Sequence, residues 1–327
     1  MKFQSTFSDR YSPLVVGVAS LTTMLLFFWL SNVLFPETTT GLRMSPAQIT
    51  GMALTYSTTP SFLLATLIYS QRRTRISLEE LVNAGRMNRE VAISRGAGGV
   101  GIGPAKNIAA TLLGLILGGV QVEWVPVLDG LEQPGATQAL SIAIGNILTW
   151  LTVVHVIMRR VLASVDLRRL GRTETDVDLL RLDALLPFGR IATLHLMIVA
   201  VAVSLSAFQA LDAELRWENY SAALAAGVPA GLVLVLLPML GVRQSVRVAK
   251  RRALAKLDEA IEYANRDLEP EALRYLGDLL HQRETIEHAR EWPLDTTAFS
   301  RIAIYFVIPP LAWVGGALVE ILVQSAL

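Results

Sequence analysis

Cysteine is absent from the sequence, which excludes disulfides, thiolate metal sites and cysteine nucleophiles. Charge is scarce. Asp, Glu, Lys and Arg make up 17% of the 327 residues, against about 25% in an ordinary soluble domain. The common catalytic signatures are also missing: no H-E-x-x-H, no G-x-S-x-G and no Asp-rich prenyl or phosphate motif occurs. No acid or histidine pair in the apolar blocks has the i,i+4 spacing of metal ligands. Neither an enzymatic activity nor a cofactor is therefore expected. What the chain has in excess is apolar sequence: 52% of residues are hydrophobic and the mean hydropathy is +0.46.

The apolar residues are bunched. A hydrocarbon core about 30 Å thick needs roughly 20 apolar residues per helix. Seven blocks meet or approach that length, at about 12–35, 47–70, 108–127, 138–158, 191–211, 219–242 and 302–323. Cations sort between the intervening segments. The N-terminal tail and residues 71–107, 159–190 and 243–301 hold 27 of the 29 Lys and Arg, while the other loops hold only Arg43 and Arg216. Cytoplasmic loops of membrane proteins are enriched in Lys and Arg. The expected fold is thus all-α: a polytopic transmembrane bundle of about seven spans, N-terminus inside and C-terminus outside, in the cytoplasmic (inner) membrane. The first span is too long for a cleavable signal and no A-x-A site follows it, so it is expected to be an uncleaved anchor. The net charge of +1 conceals the asymmetry. The basic residues flank spans, where anionic headgroups attract them, and nucleic acid is not an expected partner.

Between the spans, "SLEELVNAG" (77–85) pairs Ser77 with Glu80 as a capping box and ends on a glycine suited to a helix stop. It predicts a short helix lying on the membrane surface. "GAGGVGIGPAKN" lacks the Walker spacing and reads as a linker rather than a phosphate cradle. "DVDLLRLDALLPFGR" predicts an interfacial helix that turns into the fifth span at Pro187 and Gly189.

Beyond Val242 a seam of Val242, Val246, Ala249, Ala253, Leu257, Ala260 and Ala264 recurs at spacings of four and three, a coiled-coil pattern. "DLEP" predicts a turn and Glu271–Arg290 a second arm that returns to the membrane. The first arm reaches roughly 36 Å at 1.5 Å per residue. The domains expected are a bundle over 1–242, a cytoplasmic helical hairpin over 243–291, and an interfacial turn with the last span over 292–327. Glu284, Glu287 and His288 on the second arm read as a solvated face.

"LLPMLGVRQSVRVAKRRALAKLD", "EWPLDTTAFSRIAIYFVIPPLAWVGGALVE" and "DVDLLRLDALLPFGR" resemble a family of uncharacterised prokaryotic multi-pass membrane proteins. Its members join a membrane helix to a cytoplasmic helical pair and re-enter the membrane through a Trp-Pro-x-Asp turn. The resemblance covers roughly residues 160–327. Its motifs are topological rather than chemical, so it implies this architecture and no site residue.

Ionisable groups inside spans are functional candidates because burying charge in lipid is costly. Glu123 and Glu320 lie toward the outer face, His155 and His195 toward the inner one, and Asn146 mid-span. They mark the ends of a proton or cation path, or simply sit at headgroup level. The scarcity of such charge argues against an ion-coupled pump. "TYSTTPSF" puts five hydroxyl side chains, a tyrosine and Pro60 in the middle of the second span. Pro60 cannot donate to the carbonyl of Tyr56, so a kink or opening is expected. Ser57, Thr58, Thr59 and Ser61 can bond the preceding turn or a neighbouring helix. Their spread over more than one face buries this span in the bundle, either as packing or as the wall of a hydrated path. Gly114-x-x-x-Gly118 and Gly227-x-x-x-Gly231 predict close helix crossings.

Two functions are compatible with these features. One is a channel or carrier for a small ion or solute, with the second, sixth and seventh spans around a polar centre. The other is a membrane-embedded regulatory or scaffold protein whose hairpin, 243–291, binds a cytoplasmic protein partner or couples to homo-oligomer formation.

Overall fold

A computed structural model describes residues 11–36, 44–96, 103–122, 136–179, 181–210, 217–265, 270–289, 291–292 and 300, with 303–305, 307–308, 311 and 313–315 of the last apolar block. The described residues form helices α1 (Pro13–Leu30), α2 (Pro46–Asn83), α3 (Arg89–Gly96), α4 (Pro104–Val120), α5 (Ala136–Thr173), α6 (Leu186–Ser204), α7 (Trp217–Ala264) and α8 (Pro270–Glu287). Single 3-10 turns at Leu182–Leu185 and Leu205–Ala210 flank α6. No strand occurs among the described residues; an isolated bridge pairs Met87 with Thr175.

Among the described residues four helical stretches are long and apolar enough to cross a membrane: Pro13–Leu30, Ala136–Thr173, Leu182–Gln209 and Ala223–Ala264; Pro104–Val120 is a shorter apolar helix. α2 is not among them, because its hydroxyl-rich centre and the arginines that follow dilute the apolar run. An apolar outer surface fits a bilayer. Leu14, Val18, Leu26 and Trp29 of α1 and Ile108, Leu112 and Ile116 of α4 are exposed, where in water they would cost about 25 cal/mol per Å².

Packing makes a ring of four with two outriders. α2 and α7 each pack against both α5 and α6 and so alternate with them around the ring, while α1 packs on α2 and α4 on α5. Both small-residue motifs are crossings, as their spacing predicts. A methyl group on Gly114 would stand 2.9 Å from Leu151 Cα, and one on Gly118 2.8 Å from Ile147 Cα. Gly227 and Gly231 lie against Val203 and Leu196 of α6.

Two readings of the loops are corrected. Ser77 does not start a helix: α2 runs unbroken from Pro46 to Asn83, and its capping box is Ser45 with Gln48. The stop is as expected, with Gly85 at φ 69°. The helix continues because nothing between Ser70 and Asn83 breaks it, and the apolar face of its last turns, Leu78 and Leu81, is buried in protein. Likewise 182–185 is a 3-10 turn leading directly into α6, with Leu185 buried. Leu78, Leu81, Leu167, Leu170, Leu185, Phe188, Val242 and Val246 form one apolar core at the basic end of the bundle. Arg86 ties its rim, bonding Asp178 at 2.9 Å, and Arg190 bonds Glu80 at 3.0 Å. α2 also passes through Pro60 as one helix, as α7 does through Pro229 and Pro238.

The hairpin returns to its base as the sequence predicts. α8 packs along α7, with Arg283 on Asp258 at 2.9 Å. Beyond α8, Glu291 accepts from Arg247 at 2.7 Å and Arg243 at 3.4 Å, and the Arg243 guanidinium lies 4.6 Å from the Trp292 ring centre. The hydrogen bond from Arg247 holds the Glu291 carboxyl below the usual carboxylate range. Its folded-state value is below the unfolded one, so its stabilisation is complete above the unfolded pKa and vanishes as pH falls through the folded one. A spin-label distance between α8 and the membrane end of α7 is expected to hold at neutral pH and to widen only in acid, below the normal Glu range. In Glu291→Gln the acid step should be lost. A distance that widens near pH 7 would contradict this.

Candidate functional site

The ring of four lines a partly open cavity of about 400 Å³. α2 contributes Thr55, Tyr56, Thr59 and Leu63; α5 contributes residues from Asn146 to Arg160; α6 and its 3-10 turn contribute Ile198 to Gln209; α7 contributes Ala223, Ala226 and Gly227. Each set is a stripe at helical spacing, as one face of a helix requires. Asn146 to Arg160 covers about 21 Å of helix at 1.5 Å per residue, most of a hydrocarbon core about 30 Å thick.

The sequence expectation placed the polar centre among the second, sixth and seventh spans. The second and sixth spans, α2 and α7, do line the cavity, but α5 and α6, the fourth and fifth, line it with them, and Gln121 joins from the end of α4. Among the described residues the last apolar block contributes a second layer: Trp313 is buried against Val203, beside Val199 and Ala223.

The hydroxyls of "TYSTTPSF" divide by face. Ser57, Thr58 and Ser61 bond back to the carbonyls of Ala53, Leu54 and Ser57 at 2.7 Å each, and Ser61 also meets Ser20 of α1 at 3.1 Å. These three are packing residues. Thr55 and Thr59 line the cavity, 3% and 6% exposed, and neither hydroxyl has a partner. Pro60 is buried beside them but does not reach the cavity.

Asn146 lines the cavity but is committed: its Nδ2 donates to the Gly118 carbonyl at 3.0 Å, pinning α5 to α4 where the glycine allows close approach. Trp150 Nε1 donates to Gln121 Oε1 at 2.6 Å at the end opposite the basic core. His155 is outside the cavity, between Thr111 at 3.3 Å and the Leu151 carbonyl at 2.8 Å. His195 is buried on α6, one turn nearer the basic end than Ile198 and Val199, with Nδ1 unpartnered. The structure therefore does not set the two histidines together. Glu123 and Glu320 lie outside the described residues, as do Pro309 and Pro310 and residues 97–102 of the glycine-rich segment.

One residue was missed altogether. Arg160 counts as a loop cation when charge is tallied by segment, yet it is 3% exposed and lines the cavity. Its Nη2 donates to Thr66 Oγ1 at 3.4 Å, while Nε and Nη1 are buried without partners. The signal was in the rotation. Adjacent residues on a helix point about 100° apart, so Arg159 and Arg160 cannot both face out. Arg159 is exposed, and Arg160 continues the stripe of Asn146, Thr149, Val153 and Val156. Scans against protein-family models, curated proteins and solved structures find no match to the chain.

Proposed function

We propose that this chain is a channel or carrier for a small solute or ion. It crosses the cytoplasmic membrane with seven spans, its basic end in the cytoplasm. The charge segregation supports the orientation. Helices at the first six apolar blocks support the span count. The observation that carries the functional reading is that Thr55 and Thr59, whose buried hydroxyls have no partner among the described residues, line a cavity whose α5 wall runs along most of a bilayer's thickness. Buried polar groups lacking partners are rare in packed protein. In transporters, irregular polar faces at membrane depth are tolerated where they line a hydrated space.

The test is solute flux into proteoliposomes. The double variant Thr55→Val/Thr59→Val, nearly isosteric, should lower flux about tenfold, as expected for losing two modest hydrogen bonds at a barrier. Thr58→Val, whose hydroxyl is spent on the Leu54 carbonyl, should not change it. Full flux in the double variant would count against the cavity as the route.

A further inference from the structure

We infer that the cavity takes a small organic monoanion: a carboxylate seated on Arg160, with a short apolar body lying toward Val153 and Ile198. The inference rests on the solute-path reading and specifies its substrate class. A guanidinium is always charged, and a charge taken out of water is expensive unless it is paired. Arg160 is 3% exposed, yet no carboxylate among the described residues reaches it, and its one hydrogen bond is to a neutral hydroxyl. Nε and Nη1 are buried N–H groups that nothing among the described residues accepts. The planar fork of a guanidinium matches a carboxylate bidentately. His195 Nδ1 and Ser164 Oγ, the latter one turn beyond Arg160 on α5, are also buried without partners. Neither lines the cavity; both lie beyond its Arg160 end.

The rest of the lining selects within the anions. Among the described residues Arg160 is the only Lys or Arg lining the cavity, so a single negative charge is matched and a dianion is not. The wall above it is apolar, made by Leu63, Val153, Val156, Ile157 and Ile198. That wall suits a hydrocarbon body better than a hydrated inorganic ion.

Valerate, valeramide and pentylammonium share a carbon chain and differ at the head. Binding to the purified full-length chain in detergent is read by thermal shift and by titration calorimetry. Valerate should raise Tm saturably, and the amide and the amine should not. Arg160→Lys, which keeps the charge but loses the fork, should weaken valerate binding about 10- to 100-fold. Arg160→Gln should abolish it. Because either variant can misfold, the comparison of the three ligands on the unaltered chain is decisive alone. Equal stabilisation by valeramide or pentylammonium overturns the anion assignment. Equal stabilisation by chloride or inorganic phosphate overturns the organic one. Flux separates the two readings. Passage of glycerol or potassium without valerate binding defeats this inference and leaves the path standing. Valerate binding without passage of any solute defeats the path and leaves Arg160 as an anion site.

Discussion

Replacing Gly241 with valine will pull α5 and α7 apart. A Cβ at Gly241 would stand 2.8 Å from Arg168 Cα and 2.9 Å from its carbonyl carbon, and it would lie against the carbonyl oxygen as well. All three are backbone atoms of α5, so no rotamer change relieves the contact. The crossing is reciprocal. A methyl on Gly171 of α5 would meet Val242 Cγ2 at 2.8 Å. Ser245 Oγ reaches the carbonyls of Gly171 and Arg172 at 2.7 and 2.9 Å, and these belong to the last turn of α5, whose carbonyls have no helical donor. Separation would thus strip that cap and open the core around Leu167, Leu170, Val242 and Val246. Overpacking alone costs typically 1–3 kcal/mol; with the cap and core also lost, at least about 3 kcal/mol is expected here. The variant should elute as aggregate or show a much lower Tm in detergent. Gly277→Ala is the contrast. It lies exposed on α8 with nothing within 4 Å of an added Cβ, and should stabilise by about 0.5–1 kcal/mol. A Gly241→Val protein that melts with the wild type would refute the crossing.

That crossing marks where sequence reading stopped. Gly114 and Gly118 advertise a contact by their spacing on one helix. Gly171 and Gly241 stand singly on two helices, and only the angle between those helices brings them together. Helix positions were legible because hydrocarbon demands long apolar runs, and six blocks coincide with helices. Helix ends were not, because the edge of the apolar run was taken for the edge of the helix. In α2 and α5 nothing breaks the backbone there, so the helices continue and, with α7, whose extension the Val242–Ala264 seam did announce, build an apolar core on the basic side from Leu78, Leu170 and Val246. The hydroxyl cluster was legible as a buried face. Which of its members look inward was not, since Thr55 and Thr59, four apart, differ from Thr58 only by rotation about the helix. Arg160 was hidden for the same reason: counting charges by segment discards the angle at which each one leaves the helix.

Filling the cavity gives the largest functional effect. Ala202 lines it from α6, between Ile198 and Ser206 on the same stripe. A tryptophan there would extend into the space facing Leu63 and Val156, the apolar stretch between Thr55–Thr59 and Arg160. If solute passes through the ring of four, Ala202→Trp should cut flux at least about tenfold, a barrier increase of roughly 1.4 kcal/mol or more. Cavity-filling substitutions commonly stabilise by about 0.5–2 kcal/mol, so Tm should hold or rise. That pairing distinguishes a blocked route from a damaged fold, in which flux and Tm fall together. Leu115→Trp places the same side chain on the exposed outer face of α4, where lipid accommodates it, and should leave flux unchanged. Undiminished flux through a stable Ala202→Trp protein would mean that solute crosses elsewhere. The unpartnered hydroxyls and the buried guanidinium would then belong to a binding pocket that does not conduct.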